Sequence, residues 1–432
     1  MDEATSRQAE QQLEEIGPAD LLVGILDATP HNAEAPGDAH DGAAMLREAV
    51  GKLRARLHTV VIDTSLNHDL VHGGNSVRDP TGPNAAESEN TTAEKLFTVL
   101  PAPVLGSDAD SPLHGIAASY RKIFALGQQL DAKACCVVAS SLDTVTSSWF
   151  YWLTQPIVEL GYDLVMPSYV HDPFEGLLNS SIISPLYCAL YGHDLQNPMG
   201  PDVGLSKEVM RHMMGNSNSA RMEFPLVSLV PGATGAGLKV CQAYVGRRVY
   251  PPTDWSNVSS LLPPILGPIF ADVERNASIW QRIRSVRPVM AFGEIENPAV
   301  EGHRLDTARM IESFHLGIRD LREIWSLVLP PSTLLELTKL ARLGADKFRM
   351  PDPLWARIIY DFAASYRLRT FNRDHLLRAL TPLYLGWVAS YALELEAEGR
   401  SGPSPLTRLA PAFESVKPYF VSRWRWPDRF NP

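Results

Sequence analysis

The stretch "VVASSLDTVTSSW" (Val137–Trp149) decides how this chain folds. Its first residues continue "ACC" (134–136) into the apolar run "ACCVVA" (134–139), which reads as a strand buried on both faces in a parallel sheet. Ser and Thr then crowd a polar turn, and a helix starts at the apolar residues around Trp149. Working upstream, "GIAASYRKIFALGQQL" has helical periodicity and "LFTVLPA" reads as a strand. Before them, "DLLVGIL", "AAMLREAVGKLRARL" and "HTVVID" read as strand, helix and strand. Downstream come a helix, the strand "YDLVMPSYV", the helix "SSIISPLYCALYG", the loop "HDLQNPMGPDVGLS" and a last strand, "GLKVCQAYVGRRVY". Strands alternating with helices at this spacing indicate an α/β fold with a doubly wound, mostly parallel sheet. Ligands of such sheets bind outside the carboxyl ends of the strands, so Leu26, Asp63 and Ser141 are expected around one mouth.

At 432 residues the chain is too long for one ordinary core, and its character changes near residue 262. The expected division is a polar tail over 1–18, a nucleotide-type α/β domain over 19–262 and a helical domain over 263–432. The helical part shows amphipathic stretches such as "DTARMIESFHLGIRDLREIWSLV" and "LWARIIYDFAASYRL". Their broad apolar faces suggest cover for the α/β domain and a homodimer interface. A formal charge of −10 argues against a nucleic-acid partner, since phosphate binding needs a positive surface. The four cysteines sit in apolar runs and read as buried thiols. "MDEATSRQAEQQLEEIG" lacks the apolar core of a signal peptide, and no apolar run reaches bilayer length. A cytoplasmic protein without membrane association is expected.

Other motifs are weak. "GATGAG" (232–237) precedes a strand rather than joining strand to helix, so it is expected to be a flexible turn and not a phosphate loop. The His and Asp residues of "HNAEAPGDAHDGA" lie in a Gly/Pro/Ala loop that does not preorganise a metal site. "SRWRWPDRF" alternates Arg and Trp, and packing explains it better than base stacking in so acidic a chain. Hydrolase elbow, Walker loop and zinc signatures are absent.

Several stretches resemble one family, the retaining GT-A glycosyltransferases related to glucosylglycerate, glucosyl-phosphoglycerate and mannosylglycerate synthases. They are "LLVGI", "SSWFYWLTQPIVELGYDLVMPSYV", "FEGLLNSSIISPLYCALYG", "PMGPDVGLS" and "VCQAYVGRRVY", followed by "DPLWARIIYDFAASY", "LTPLYLGWVASYALE" and "FESVKPYFVSRW". The resemblance implies a GT-A-like domain with a helical C-terminal domain. In that family the strand matching "CCVVAS" ends in Asp-x-Asp, and a later His completes a divalent metal site. Here Ala139 and Ser141 stand at the aspartates and Tyr250 at the histidine, so no metal is expected through them. Mg²⁺ or Mn²⁺ enters only if Asp143, two residues further on, replaces the lost clamp. A Gly-Lys-Gly loop is also altered, with Ile116 in place of the lysine.

Polar positions that persist define the expected site. Asp202, between the glycines of "GPDVG", is the candidate catalytic residue facing donor and acceptor; the alternative is a turn aspartate bonding its own backbone. On the donor side stand Asp63, Ser141, Asp143, Arg247 and Arg248. Without a metal, the two guanidinium groups would meet the diphosphate; the alternative is an exposed strand end. Glu175, Asn179 and Tyr250 are expected on the acceptor side. The implied activity is transfer of a sugar from a nucleotide-diphosphate sugar to a small hydroxylated acceptor. Its rivals are a catalytically silent relative kept as a binding or regulatory partner, and an enzyme repurposed within the same crevice.

Overall fold

The computed structural model describes residues 17–26, 42–54, 57–63, 97–101, 112–139, 145–215, 223–248, 253–294, 305–398 and 404–427. Ser141, Asp143 and Tyr250 lie outside the described residues, as does the side chain of Asp63. The chain divides into two compact units. One comprises Met1–Val170, Met199–Val249 and Met290–Glu296, the other His171–Pro198, Tyr250–Val289 and Asn297–Pro432.

In the first unit, β1 (Leu21–Ile25), β2 (Thr59–Asp63), β3 (Phe97–Pro101), β4 (Ala134–Val138) and β5 (Leu164–Val170) follow the expected strands closely. β6 (Val203–Ser206), β7 (Val240–Arg247) and β8 (Ala291–Phe292) complete an eight-stranded sheet among the described residues. Its order is β8-β7-β5-β6-β4-β1-β2-β3. All neighbours are parallel except β6, which is antiparallel to both β4 and β5. β1 and β4 are buried along their whole length, which fits apolar runs covered on both faces.

Helices α1 (Gly42–Gly51), α2 (Pro112–Gln129) and α3 (Ser147–Val158) flank the sheet. Two glycines record how closely helices approach it. A Cβ at Gly24 of β1 would fall 2.4 Å from Ile123 Cδ1 of α2. At Gly204 of β6 it would fall 1.9 Å from the Leu153 carbonyl oxygen of α3. The core behind the site includes Val23, Cys136, Val138, Trp149, Phe150, Leu153 and Tyr169. All four cysteines are buried free thiols.

Two sequence expectations change here. "GPDVGLS", taken as loop, supplies β6, wedged between β4 and β5. "GATGAG" is not a flexible turn: residues through Ala236 finish the helix Pro225–Ala236, buried as far as Ala233. Gly237, at φ +70°, caps its end, donating its N–H to the Ala233 and Thr234 carbonyls.

The second unit is helical and has a core of its own. It also takes in residues 171–198, which sequence periodicity assigned to the α/β part. Hydrogen bonds hold that segment there. Trp355 Nε1 donates to the Ser181 carbonyl at 2.9 Å, and the Tyr391 hydroxyl donates to the Pro173 carbonyl at 3.1 Å. Buried Lys417 donates to the carbonyls of Ala189 (2.7 Å), Leu190 (3.3 Å) and Ile283 (2.8 Å). An ammonium against the last carbonyls of the helix Ser184–Tyr191 satisfies acceptors that have no partner within the helix. No helix among the described residues is long and apolar enough to cross a membrane.

Candidate active site

The carboxyl ends of β1, β4, β5 and β7 lie along one edge of the sheet in the first unit. Because β6 runs antiparallel, its amino end reaches the same edge and carries Asp202 there. Leu26 N–H donates to the Val138 carbonyl at 2.7 Å and extends the β1–β4 pairing to the edge. Asp202 is completely buried. Its Oδ1 accepts from the Ala139 N–H at 2.8 Å, and its Oδ2 accepts from the Tyr169 hydroxyl at 2.5 Å. Its bonds therefore tie together the ends of β4 and β5, beyond its own turn. Behind it, the Tyr120 hydroxyl of α2 donates to the Pro201 carbonyl. Burial, with Asp202 as a second cause, pushes the Tyr120 phenol well above its ordinary value and keeps it a donor. The neighbouring Cys136 thiol is pushed up to about 12, chiefly by burial, and stays unreactive.

Arg248 completes the cluster. Its backbone N–H donates to the Val170 carbonyl at 3.0 Å, prolonging the β5–β7 ladder by one step. One guanidinium nitrogen donates to the Tyr169 hydroxyl at 3.2 Å and lies 3.7 Å from Asp202 Oδ2. The guanidinium carbon stands 5.0 Å from the centre of the Tyr169 ring. The Arg248 side chain remains 19% exposed, so its charge reaches the edge of the sheet. Tyr169 in turn packs on Trp149, with ring centres 5.8 Å apart. The edge thus carries a cation fixed by a buried carboxylate and an aromatic face.

Of the residues singled out from sequence, the structure brings Asp202 and Arg248 together. Arg247 is exposed at the end of β7 and does not join them. Asp63 ends β2 opposite Ile25 and Pro101. Glu175 and Asn179 belong to the second unit. There Glu175 Oε2 accepts from the Asp172 N–H at 3.1 Å, and Asn179 Nδ2 donates to the Gln196 carbonyl at 2.9 Å. Tyr169 and the Ala139 N–H were not anticipated. A backbone amide leaves no trace in residue identity, but Gly246 inside "AYVGRR" is the kind of strand glycine that marks a bulge.

Ala139 offers no side-chain ligand, and both oxygens of Asp202 already accept hydrogen bonds beside a guanidinium. No group of three His, Cys, Asp or Glu side chains with metal-binding placement occurs among the described residues.

Fold and site together define a doubly wound α/β unit whose strand ends carry a cluster of buried Asp202 and Tyr169 with partly exposed Arg248. Among solved structures the chain is similar to glucosyl-3-phosphoglycerate synthase from Mycobacterium tuberculosis in complex with phosphoglyceric acid. That match has 12% identity and a TM-score of 0.35, covering 61% of this chain and 83% of that one. The same enzyme with Mn²⁺, uridine diphosphate and glucosyl-3-phosphoglycerate matches with the same figures. A structure described only as a mycobacterial protein matches at 15% identity and a TM-score of 0.35, covering 61% and 78%. Likeness at this level transfers no residue role. No protein-family profile and no curated protein matches the chain.

Proposed function

We propose that the strand-end crevice of the first unit binds a nucleotide-diphosphate sugar and that the protein transfers the sugar to a small hydroxylated acceptor. The observation that carries this reading is Arg248, a cation held in place at the ligand-binding edge of a doubly wound sheet. In the transfer, the bond from the anomeric carbon to the diphosphate oxygen breaks. The acceptor oxygen bonds to that carbon, and the hydroxyl proton passes to the departing diphosphate. Arg248 offsets the charge developing on the leaving group, the position where a preorganised cation lowers a barrier most. Asp63 serves the nucleoside, and Asp202 acts through Arg248 instead of touching the sugar. A second copy of the chain as partner belongs to the same proposal. A concentration-independent monomer mass by light scattering removes the dimer from it.

One observation favours the rival reading of a silent, nucleotide-binding relative: the complete burial of Asp202 withdraws that carboxylate from substrate. A mass-spectrometric product assay over a donor and acceptor panel separates the two. The transferase reading expects a glycosylated product that Arg248→Ala abolishes. Donor binding with no product from any pair supports the silent relative.

A further inference from the structure

The two arginines at the end of β7 are adjacent in sequence, yet only Arg248 joins the cluster. The pairing of β5 with β7 shows why. From Leu164↔Val240 to Ser168↔Tyr244 the register is continuous, then it jumps so that Tyr169 faces Gly246 and Val170 faces Arg247. Val245 is the extra residue of a β-bulge, a feature that re-aims side chains at the ends of strands. Paired residues of parallel strands share a face, as do residues two apart along a strand. With the bulge, Tyr169, Gly246 and Arg248 share one face. In continuous register Tyr169 would face Val245, and Arg247 would stand over it. Gly246 has φ +100°, a backbone state that side-chain-bearing residues rarely adopt. A Cβ added there would lie 3.4 Å from Trp149 Nε1.

We propose that Tyr169 is a positioning residue for Arg248, and that the bulge at Val245–Gly246 selects which arginine it holds. This rests on the reading of Arg248 as the cation that meets a ligand diphosphate. Tyr169 constrains the guanidinium in two ways: its ring lies beneath it, and its hydroxyl bridges Arg248 and Asp202. A tyrosine at this place gives the cation a direction. The consequence is selectivity for a nucleoside diphosphate, whose second phosphate gives the held guanidinium a further anionic group to meet, over a monophosphate.

The test is calorimetric titration of UDP, GDP and ADP, and of the matching monophosphates, into the full-length protein and its variants. Wild type is expected to prefer at least one diphosphate over its monophosphate, and Arg248→Ala to lose that preference. Tyr169→Phe keeps the ring and removes the bridge. It should reduce the preference about tenfold, the worth of one charge-assisted hydrogen bond, with monophosphate affinity unchanged. Arg247→Ala, at the arginine turned to the other face, should keep the preference and needs no core rearrangement to fold. If wild type binds none of these nucleotides, or Arg248→Ala binds like wild type, the functional reading fails and this inference with it. If Arg248→Ala loses the preference while Tyr169→Phe keeps it, or loses both affinities equally, only the role of Tyr169 fails. A loss in Arg247→Ala matching that in Arg248→Ala overturns the bulge argument.

Discussion

Asp202 shows what a single buried carboxylate can organise. Its oxygens hold the Ala139 N–H and the Tyr169 hydroxyl, and its charge faces Arg248. Removing one partner of a buried pair leaves the other charged and desolvated, at a cost of about 3–5 kcal/mol. Asp202→Ala is expected to lower unfolding stability by that order in urea titrations. Asp202→Asn keeps an acceptor for Ala139 and should cost less, roughly 1–3 kcal/mol. Stability of both variants within about 0.5 kcal/mol of wild type, the range of ordinary surface changes, would mean the cluster does not form. Sequence reading reached Asp202 through the resemblance of "GPDVG" to a family turn, and Arg248 as one of two adjacent arginines at a strand end. It missed Tyr169, since an aromatic in a strand reads as core until its hydroxyl is seen to bridge two charges.

At the scale of elements, the apolar strands and periodic helices were legible, because runs as short as "ACCVV" or "LLVGI", set between helical segments, read as buried strands. β6 was not. It is four residues long, contains Gly204 and follows a Gly-Pro-Asp turn, so local preference favours a loop there. Tertiary packing overrides that preference: the strand fits between β4 and β5 only because Gly204 lets the backbone of α3 approach. Gly204→Ala places a Cβ 1.9 Å from the Leu153 carbonyl oxygen, where α3 or the strand must move. The expected loss is about 1–3 kcal/mol or more, read as a lower unfolding midpoint. An unchanged midpoint would contradict the packing of α3 on β6. The helix ending at Gly237 was misread for a related reason, since Gly, Ala and Thr carry little apolar periodicity even where a helix is buried.

The molecule as a whole has two cores, and the boundary between them was only partly visible in the sequence. Residues 171–198 continue the α/β pattern locally, yet the bonds of Trp355, Tyr391 and Lys417 place them in the helical unit. Such long-range partners leave no local signal. The helical unit also carries a pH-sensitive group. Asp361 Oδ1 accepts from the Tyr419 hydroxyl at 2.6 Å and lies 2.8 Å from Arg423 Nε, while its Oδ2 is buried without a hydrogen-bond partner. Burial pushes this carboxyl up to about 7, against the opposing pull of Arg423 and Tyr419. In the unfolded chain it titrates near about 3.9. Between those values the folded unit holds a proton that the unfolded chain has lost. The contribution is therefore full below the unfolded value and is lost as pH rises toward 7. Asp361→Asn should flatten that decline in a pH series of unfolding curves; an unaltered slope would show that Asp361 stays ionised throughout.

The central claim, a nucleotide-sugar site whose fixed cation is Arg248, is tested most directly by thermal shift over a nucleotide-sugar panel. Wild type and Arg248→Ala are compared, each in chelator and with added Mg²⁺ or Mn²⁺. A ligand at one hundred times its Kd stabilises the native state by about 2.7 kcal/mol, so even weak donors move the midpoint. The account expects at least one sugar nucleotide to raise the wild-type midpoint in chelator and to leave Arg248→Ala unmoved. No shift from any donor, or a shift that requires the metal and survives in Arg248→Ala, would contradict it.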